Sequence, residues 1–300
     1  MRVIAIILLG SLLFYGARHL SIVHSASSPV VTSVITASTS GGDDTTLTLL
    51  ESTTATLYVH GAITDADGCE DVANNGTVTG TFYRTTVSGG SACSVDNNDC
   101  YTLLNANCTK TNCTGPGDTT LDYECTAQIQ YYADSTTSGP HTATNWTAKI
   151  QATDASTANG SSTDTIEMNT TIALRTTQSI SYGAIDLGAE STQKTLTITN
   201  SGNAGIDVDL SANTVMSCAD GTIPIENVHY SDTTGFSYAN ASSTTLIPAQ
   251  YELNLANRTN DAASSTKNLY FILKMPSTGV GGSCSNALIV DAKADTGGGW

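Results

Sequence analysis

Hydrophobic and polar residues alternate along much of the chain, and the clearest run is DYECTAQIQYYAD, residues 122–134. Because successive side chains of a β-strand point to opposite sides of its sheet, this alternation predicts a half-buried antiparallel strand. The runs ATLYVHGAIT (55–64) and NWTAKIQATD (145–154) show the same pattern. The residues predicted to face the core are Tyr123, Cys125, Ala127, Ile129, Tyr131, Ala133, Leu57, Val59, Ile63, Trp146, Ala148, Ile150 and Ala152. His60 falls on the outer face, where we expect a surface residue rather than a ligand.

The second half of the chain shows a similar alternation. The run KTLTITNSGNAGIDVDL (194–210) predicts a hairpin with NSGNAG as its turn. Its inward-facing residues are expected to be Leu196, Ile198, Ile206, Val208 and Leu210. We count roughly seven short strands on each side of residue 175, with Gly, Asn and Asp in the turns, which is typical of β-sandwiches. The sequence therefore predicts an all-β protein of two tandem immunoglobulin-like antiparallel sandwiches, 27–175 and 176–300, the first with an insertion at 88–120.

The first 26 residues differ from the rest of the chain. Arg2 precedes an apolar run from Val3 to Ala17. This run has the length of a signal-peptide core and is shorter than the roughly 20 residues that span a bilayer comfortably. Small residues place a cleavage site near Ser25 to Ser27, and an uncleaved N-terminal anchor is the alternative. We therefore expect an exported protein, extracellular or at the cell surface.

Eight cysteines follow residue 26, and four of them lie within residues 91–117. In an exported chain they meet an oxidising environment, in which disulfides persist. The spacings C-x6-C, C-x7-C and C-x4-C do not match the paired ligands of a zinc knuckle, and a C-x-x-C redox pair is absent. The sequence thus predicts four disulfides but does not fix their pairing. The simplest arrangement is Cys93–Cys100, Cys108–Cys113, Cys69–Cys125 and Cys218–Cys284.

The chain is strongly acidic, with a formal net charge of −16 at pH 7. Its first 26 residues hold two arginines and no acidic residue, so the remainder is more acidic still. Binding to nucleic acid needs cationic side chains that neutralise phosphates, so the charge argues against that class of partner. An acidic surface favours solubility and is compatible with cation binding.

Two segments of the chain resemble known families. GAITDADGCEDV, followed by GTVTGTFYR and NWTAKIQATDAS, resembles the cadherin-like and PKD-like immunoglobulin-like domains of prokaryotic surfaces. ISYGAIDLGAESTQKTLTITNSGNAGIDVDL resembles modules with a TNtGN pattern. The pair is similar to functionally uncharacterised surface proteins of uncultured prokaryotes. This resemblance implies tandem immunoglobulin-like folds, but a shared fold does not fix a function.

An acidic group near the end of the second predicted strand is a candidate cation site. Asp65, Asp67, Glu70 and Asp71 cluster there, and the resemblance implies that Asp154 lies at the same end of the sandwich. Hard oxygen ligands of this kind suit Ca²⁺, although the pattern is not an EF-hand. The alternative is an ordinary acidic turn held by side-chain-to-backbone hydrogen bonds. Asp96 and Asp99 are expected to be solvated, and no other cofactor is predicted.

Glycosylation sequons are frequent. The candidates are Asn75, Asn145, Asn159, Asn169, Asn240 and Asn257, with Asn107 and Asn112 beside cysteines. A chain so rich in Ser and Thr produces most of these sequons by chance, so they identify possible sites only.

The sequence contains no recognisable catalytic motif, so we expect a protein that is not an enzyme. Three functions remain open. The first is a surface or secreted structural or adhesion module whose partners are cell-envelope proteins, extracellular proteins or glycans. The second is a filament subunit that self-associates by strand exchange through residues 27–42, although those residues can equally form the first strand of their own domain. The third is an accessory domain of an extracellular enzyme.

Overall fold

The computed structural model describes residues 27–176, 179–212, 215–239, 244–246, 249–262 and 264–295. These residues are almost entirely β-strand and loop, with one five-residue helix, α1 (Cys69–Ala73), and short 3-10 turns. They contain no helix with the length and hydropathy needed to cross a bilayer. The predicted signal or anchor, residues 1–26, lies outside the described residues.

The first sandwich consists of two five-stranded sheets. The strands of one sheet are β1 (Val30–Val31), β2 (Ile35–Ala37), β4 (Thr54–Thr64), β7 (Cys108–Thr111) and β8 (Thr120–Gln130). Their order is β1–β4–β8–β7, with β2 also paired to β4. The strands of the other sheet are β3 (Thr46–Leu47), β5 (Thr77–Arg84), β6 (Cys100–Leu103), β9 (Trp146–Thr153) and β10 (Asn159–Met168). Their order is β3–β10–β9–β5–β6, and β3 runs parallel to β10.

The predicted inward faces of the first sandwich are largely confirmed. Leu57, Val59, Ile63, Tyr123, Cys125, Ala127, Ile129, Trp146, Ala148, Ile150 and Ala152 are all buried. Trp146 stacks on Phe82 with ring centroids 4.8 Å apart, and its indole Nε1 donates to the carbonyl of Asp134 at 2.9 Å. The prediction for Tyr131 was wrong because β8 ends at Gln130, so the alternation stops there and Tyr132 is buried instead.

The described residues of the second sandwich form three sheets. One contains β11 (Leu174–Thr176), β12 (Lys194–Asn200), β16 (Val228–Ser231), β17 (Thr244–Thr245) and β19 (Thr266–Leu273), in the order β11–β12–β19–β16–β17. A three-stranded sheet contains β13 (Ile206–Ala212), β18 (Ala249–Leu255) and β21 (Leu288–Ala294), with β13 in the centre. The third contains β14 (Val215–Asp220), β15 (Thr222–Pro224) and β20 (Gly281–Ser285), with β14 in the centre. The inward residues Leu196, Ile198, Ile206, Val208 and Leu210 are buried as predicted.

The predicted hairpin over residues 194–210 is wrong. β12 pairs with β11 and β19, whereas β13 pairs with β18 and β21, so the chain crosses from one sheet to another. Asn200 fixes this crossing: its Nδ2 donates to the carbonyls of Ala204 (2.7 Å) and Leu255 (3.2 Å), and its Oδ1 accepts from the amide of Gly202 (3.0 Å). Side-chain hydrogen bonds of this kind offer the backbone an alternative to a tight turn.

The crossing segment 201–205 also contacts the first sandwich. The side chain of Asn203 is buried between the two sandwiches. Its Oδ1 accepts from the amide of Thr171 at 2.7 Å, and its Nδ2 donates to the carbonyls of Ala133 (3.1 Å) and Asn169 (3.0 Å). The two sandwiches therefore share buried hydrogen bonds at this point.

A second contact joins the sandwiches beside the disulfide-rich insertion. The carboxylate of Asp261, in the loop before β19, accepts hydrogen bonds from Asn97 Nδ2 (2.8 Å) and from the hydroxyl of Tyr132. Arg258 lies over the ring of Tyr132, 4.9 Å from its centroid. The insertion predicted at 88–120 thus supplies part of the contact between the sandwiches.

The segment 27–42 pairs with β4 of its own chain, through β1 and β2. Val31, Thr36 and Ala37 are buried. The amide and hydroxyl of Thr36 donate to Asp164 Oδ2, in the opposite sheet, at 2.9 and 2.7 Å. In this structure the segment therefore lies at the edge of its own sandwich. The sequence allowed two possibilities, strand exchange with another molecule or pairing within the same domain, and the structure shows the second.

Candidate functional site

All eight cysteines form disulfides. The predicted pairs Cys93–Cys100 and Cys218–Cys284 are confirmed. The other two pairs were predicted wrongly, and the observed bridges are Cys69–Cys113 and Cys108–Cys125. The reason is the strand register: Cys108 of β7 lies directly opposite Cys125 of β8, with Cα atoms 3.9 Å apart. Fully paired cysteines are typical of proteins that fold in an oxidising compartment.

Two buried aspartates lie at one end of the first sandwich. Asp65 directly follows β4 and is 1% exposed, and Asp154 directly follows β9 and is 4% exposed. The pKa of Asp65 is raised, first by burial and then by the negative charges of Asp67, Asp154 and Asp71. Asp67, Asp71 and Asp154 therefore lie near enough to Asp65 for their charges to act on its carboxyl group. The fifth predicted ligand, Glu70, lies in the first turn of α1.

Each of the two buried carboxylates uses only one of its oxygens. Asp65 Oδ1 accepts from the amide of Asp67 at 3.0 Å, and Asp154 Oδ1 accepts from Ser156 Oγ and the amide of Ala158, both at 2.8 Å. The Oδ2 atoms of Asp65 and Asp154 are buried and have no hydrogen-bond donor among the described residues. Buried charged oxygens without a partner are costly, and a bound cation or a proton would satisfy them.

Asp67 connects this cluster to the start of the described chain. Its Oδ2 accepts from the amide of Ser27 at 2.6 Å and from the Ser27 hydroxyl at 2.9 Å. The same hydroxyl reaches Asp65 Oδ1 at 3.5 Å. The acidic cluster therefore also holds the residue that leads into β1.

A second acidic group, in the second sandwich, was not predicted. Asp207, Glu252 and Asp295 have carboxylate oxygens that all lie within 4.8 Å of one another, and no set of described residues that includes Asp65 is as compact. Asp207 is buried, and its Oδ1 accepts from the amide of Asn254 at 2.8 Å. The nearby charge of Asp207 is the main cause of the raised pKa of Glu252. These residues lie on β13, on β18 and after β21, so no local sequence signal connects them.

The prediction that Asp99 is a solvated residue is wrong. Its side chain is 16% exposed and lies 3.3 Å from the Arg84 guanidinium. Burial and the neighbouring carboxyl of Asp96 raise the pKa of Asp99 to about 6. Arg84 also pairs with Asp134 at 2.8 Å, so it bridges two carboxylates beside the disulfide loop.

The sequons occupy different environments. Among the six candidates, Asn75 and Asn159 are exposed, Asn145, Asn169 and Asn257 are half-buried, and Asn240 lies outside the described residues. Asn107 and Asn112 are exposed. The Nδ2 of Asn169 donates to Thr48 Oγ1 at 2.8 Å, so a glycan there would have to displace that bond.

No family model and no curated protein matches the chain. Among solved structures, similar chains include the CsuC–CsuE chaperone–tip adhesion subunit complex of Acinetobacter baumannii, with 9% identity, a TM-score of 0.35 and coverage of 83% of this chain and 96% of that one. Titin domains Z1Z2 in complex with telethonin show 13% identity and a TM-score of 0.23, with coverage of 87% and 100%. The secreted serine protease VesC of Vibrio cholerae shows 11% identity and a TM-score of 0.19, with coverage of 83% and 49%. Similarities this weak identify neither a family nor a function.

Proposed function

We propose that this protein is exported and acts at the cell surface, or in secreted form, as a non-catalytic structural or adhesion module. The disulfides support this proposal because they join all eight cysteines and suit an oxidising compartment. The buried hydrogen bonds of Asn203 support a stiff two-sandwich unit, which suits a module that presents loops at a distance from its attachment. The acidic composition supports solubility outside the cell.

We further propose that the first sandwich binds a structural Ca²⁺ ion at Asp65, Asp67, Asp71 and Asp154. The observation that carries this proposal is the pair of buried oxygens, one on Asp65 and one on Asp154, that have no hydrogen-bond partner in the described part of the chain. Calcium takes six to eight oxygen ligands in flexible geometry, and carboxylates, backbone carbonyls and water can supply them. Burial is the main cause of the raised pKa of Asp65, and the ion would neutralise the further contribution from the negative charges of Asp67, Asp154 and Asp71.

The calcium proposal is tested by thermal unfolding in Ca²⁺, in Mg²⁺ and in chelator. The wild type is compared with Asp65→Asn/Asp154→Asn, which keeps the shape of both side chains. Asp43→Asn is the matched control, because it removes one charge from an exposed position. We expect Ca²⁺ to raise the Tm of the wild type and of the control but not that of the double variant. An equal calcium response in the double variant, or none in the wild type, would refute the calcium site.

The filament alternative has less support, because residues 27–42 already pair with β4 and because Thr36 is anchored to the opposite sheet. For strand exchange, these bonds would first have to break. Light scattering on the protein from Ser27 onward separates the two functions: a monomer agrees with a presented module, whereas long oligomers that disappear on deletion of 27–42 would favour the filament.

A further inference from the structure

We propose that the outer face of β4, β8 and β7 forms a binding groove for an uncharged, hydroxyl-rich saccharide. The inference rests on the adhesion function proposed above and names the class of ligand. The groove is an open cavity of about 540 Å³ on the sheet that carries β1 and β2. It lies entirely within the first sandwich and is separate from the acidic cluster at Asp65.

The floor of the groove consists of two rows of side chains that run across three strands. In one row His60 of β4, Glu124 of β8 and Thr109 of β7 lie side by side. In the next row Ala62, Asp122 and Thr111 occupy the corresponding positions. Neighbouring strands are about 4.8 Å apart, so each row brings three side chains together on one polar surface. The alternation along each strand places these residues opposite the core.

The chain around β2 forms one wall of the groove and is fixed to the floor. Glu124 accepts hydrogen bonds from Ser40 Oγ at 2.8 Å and from the amide of Gly41 at 3.1 Å. His60 Nε2 lies 2.6 Å from the carbonyl of Gly42. Because these bonds hold both the wall and the floor, the groove is largely formed before a ligand binds, as is common for ligand sites.

A glycine lets the other part of the wall approach the floor. A Cβ atom on Gly61 would lie 2.1 Å from the carbonyl oxygen of Ser33, so only glycine permits this close passage of the chain. Ser33 also accepts a hydrogen bond from the hydroxyl of the buried Tyr123 at 2.8 Å. The connection between β1 and β2 is thereby held at the edge of the groove.

The lining selects the class of ligand. The described residues that line the groove include the carboxylates of Asp122 and Glu124 and an imidazole but neither lysine nor arginine, so the groove disfavours anions. Asp122 Oδ2 accepts a hydrogen bond from Asn112 Nδ2 at 2.5 Å, and Oδ1 accepts none from the described residues. The hydroxyls of Thr109 and Thr111 can both donate and accept. An ammonium group could use only the acceptors, whereas sugar hydroxyls pair with both kinds of group.

The test measures binding of the whole protein from Ser27 onward to a panel of immobilised oligosaccharides. The panel contains neutral glucans and galactans, cationic chitosan oligomers and sialylated glycans. The variants are Asp122→Asn and Thr111→Val, and Asp43→Asn is the control. We expect the wild type and the control to bind a neutral oligosaccharide. Asp122→Asn should bind it with an affinity about tenfold lower, because hydrogen bonds to charged groups are strong. Circular dichroism confirms that each variant is folded.

Each other outcome overturns a definite part of the account. Binding of chitosan oligomers alone would show that the groove takes a cationic ligand. Equal binding of neutral sugars by wild type and variants, or no binding by the wild type, would refute the groove. Attachment to cells, measured in parallel with the same variants, tests the adhesion proposal separately. Release of reducing sugars from the panel would contradict the non-catalytic proposal instead.

Discussion

The substitution Asn203→Ala should weaken the whole protein, because this side chain joins the two sandwiches. Asn203 is 2% exposed, accepts one hydrogen bond from Thr171 and donates two, to Ala133 and Asn169. An intramolecular hydrogen bond contributes about 1 kcal/mol net, and a buried polar group left unpaired costs about 1–3 kcal/mol. Loss of three bonds, with a cavity the size of an amide, should therefore lower the free energy of unfolding by about 3–5 kcal/mol.

The assay is urea unfolding followed by fluorescence and by far-UV circular dichroism. The two tryptophans lie at Trp146, in the first sandwich, and at the C-terminal residue 300, so a further Trp300→Phe change restricts the fluorescence signal to the first sandwich. In the parent protein the two signals should change together, whereas in Asn203→Ala they should separate if the sandwiches unfold independently. The control is Asn75→Ala, at an exposed position. A loss within about 0.5 kcal/mol of that control would refute the proposed role of Asn203.

Two further predictions concern titration and the disulfides. Because the folded-state pKa of Asp99 is raised to about 6, its contribution to stability is present below about pH 4 and is lost as the pH rises to about 6. We compare the free energies of unfolding of the wild type and of Asp99→Asn by urea unfolding. After allowance for solvent screening, the value for the wild type should fall relative to that of the variant by about 1–2 kcal/mol between pH 4 and pH 6. A difference that stays constant with pH would contradict this prediction. Replacing both Cys69 and Cys113 by serine should lower the free energy of unfolding by about 4 kcal/mol, because the lost bridge closes a loop with a sequence separation of 44. Removing the Cys93–Cys100 bridge, with a sequence separation of 7, should lower the free energy of unfolding by about 2.5 kcal/mol. If urea unfolding shows a larger loss for this bridge than for Cys69–Cys113, strain outweighs loop entropy.

The alternation of residues predicted the strand faces well, because the period of two follows from backbone geometry alone. It placed Trp146, Ala148, Ile150 and Ala152 inward, and all four are buried. It failed at Tyr131, where the strand ends, because alternation does not reveal where pairing stops.

Long-range partners could not be read from local patterns. The hairpin at 194–210 was wrong because Asn200 and Asn203 direct the chain into another sheet through bonds to distant carbonyls. The bridge Cys108–Cys125 depends on the register of β7 against β8, which the spacing of the cysteines does not encode.

The candidate sites also differ in whether their residues are close together in the sequence. Asp65 and Asp67 lie in one acidic loop, so the sequence predicts them together, whereas Asp154 is predicted by the resemblance and not by spacing. Two other groups form only when separate strands lie side by side. They are the acidic set of Asp207, Glu252 and Asp295 and the two groove rows that contain His60 and Asp122.

Disulfide mapping of the protein from its native source is the most direct test of the claim that it is an exported, disulfide-bonded module. The protein is alkylated at once, digested without reduction and analysed by mass spectrometry. We predict no free thiol and four bridges, Cys69–Cys113, Cys93–Cys100, Cys108–Cys125 and Cys218–Cys284. Alkylated cysteines at most of these positions would show that the chain resides in a reducing compartment, and would contradict export.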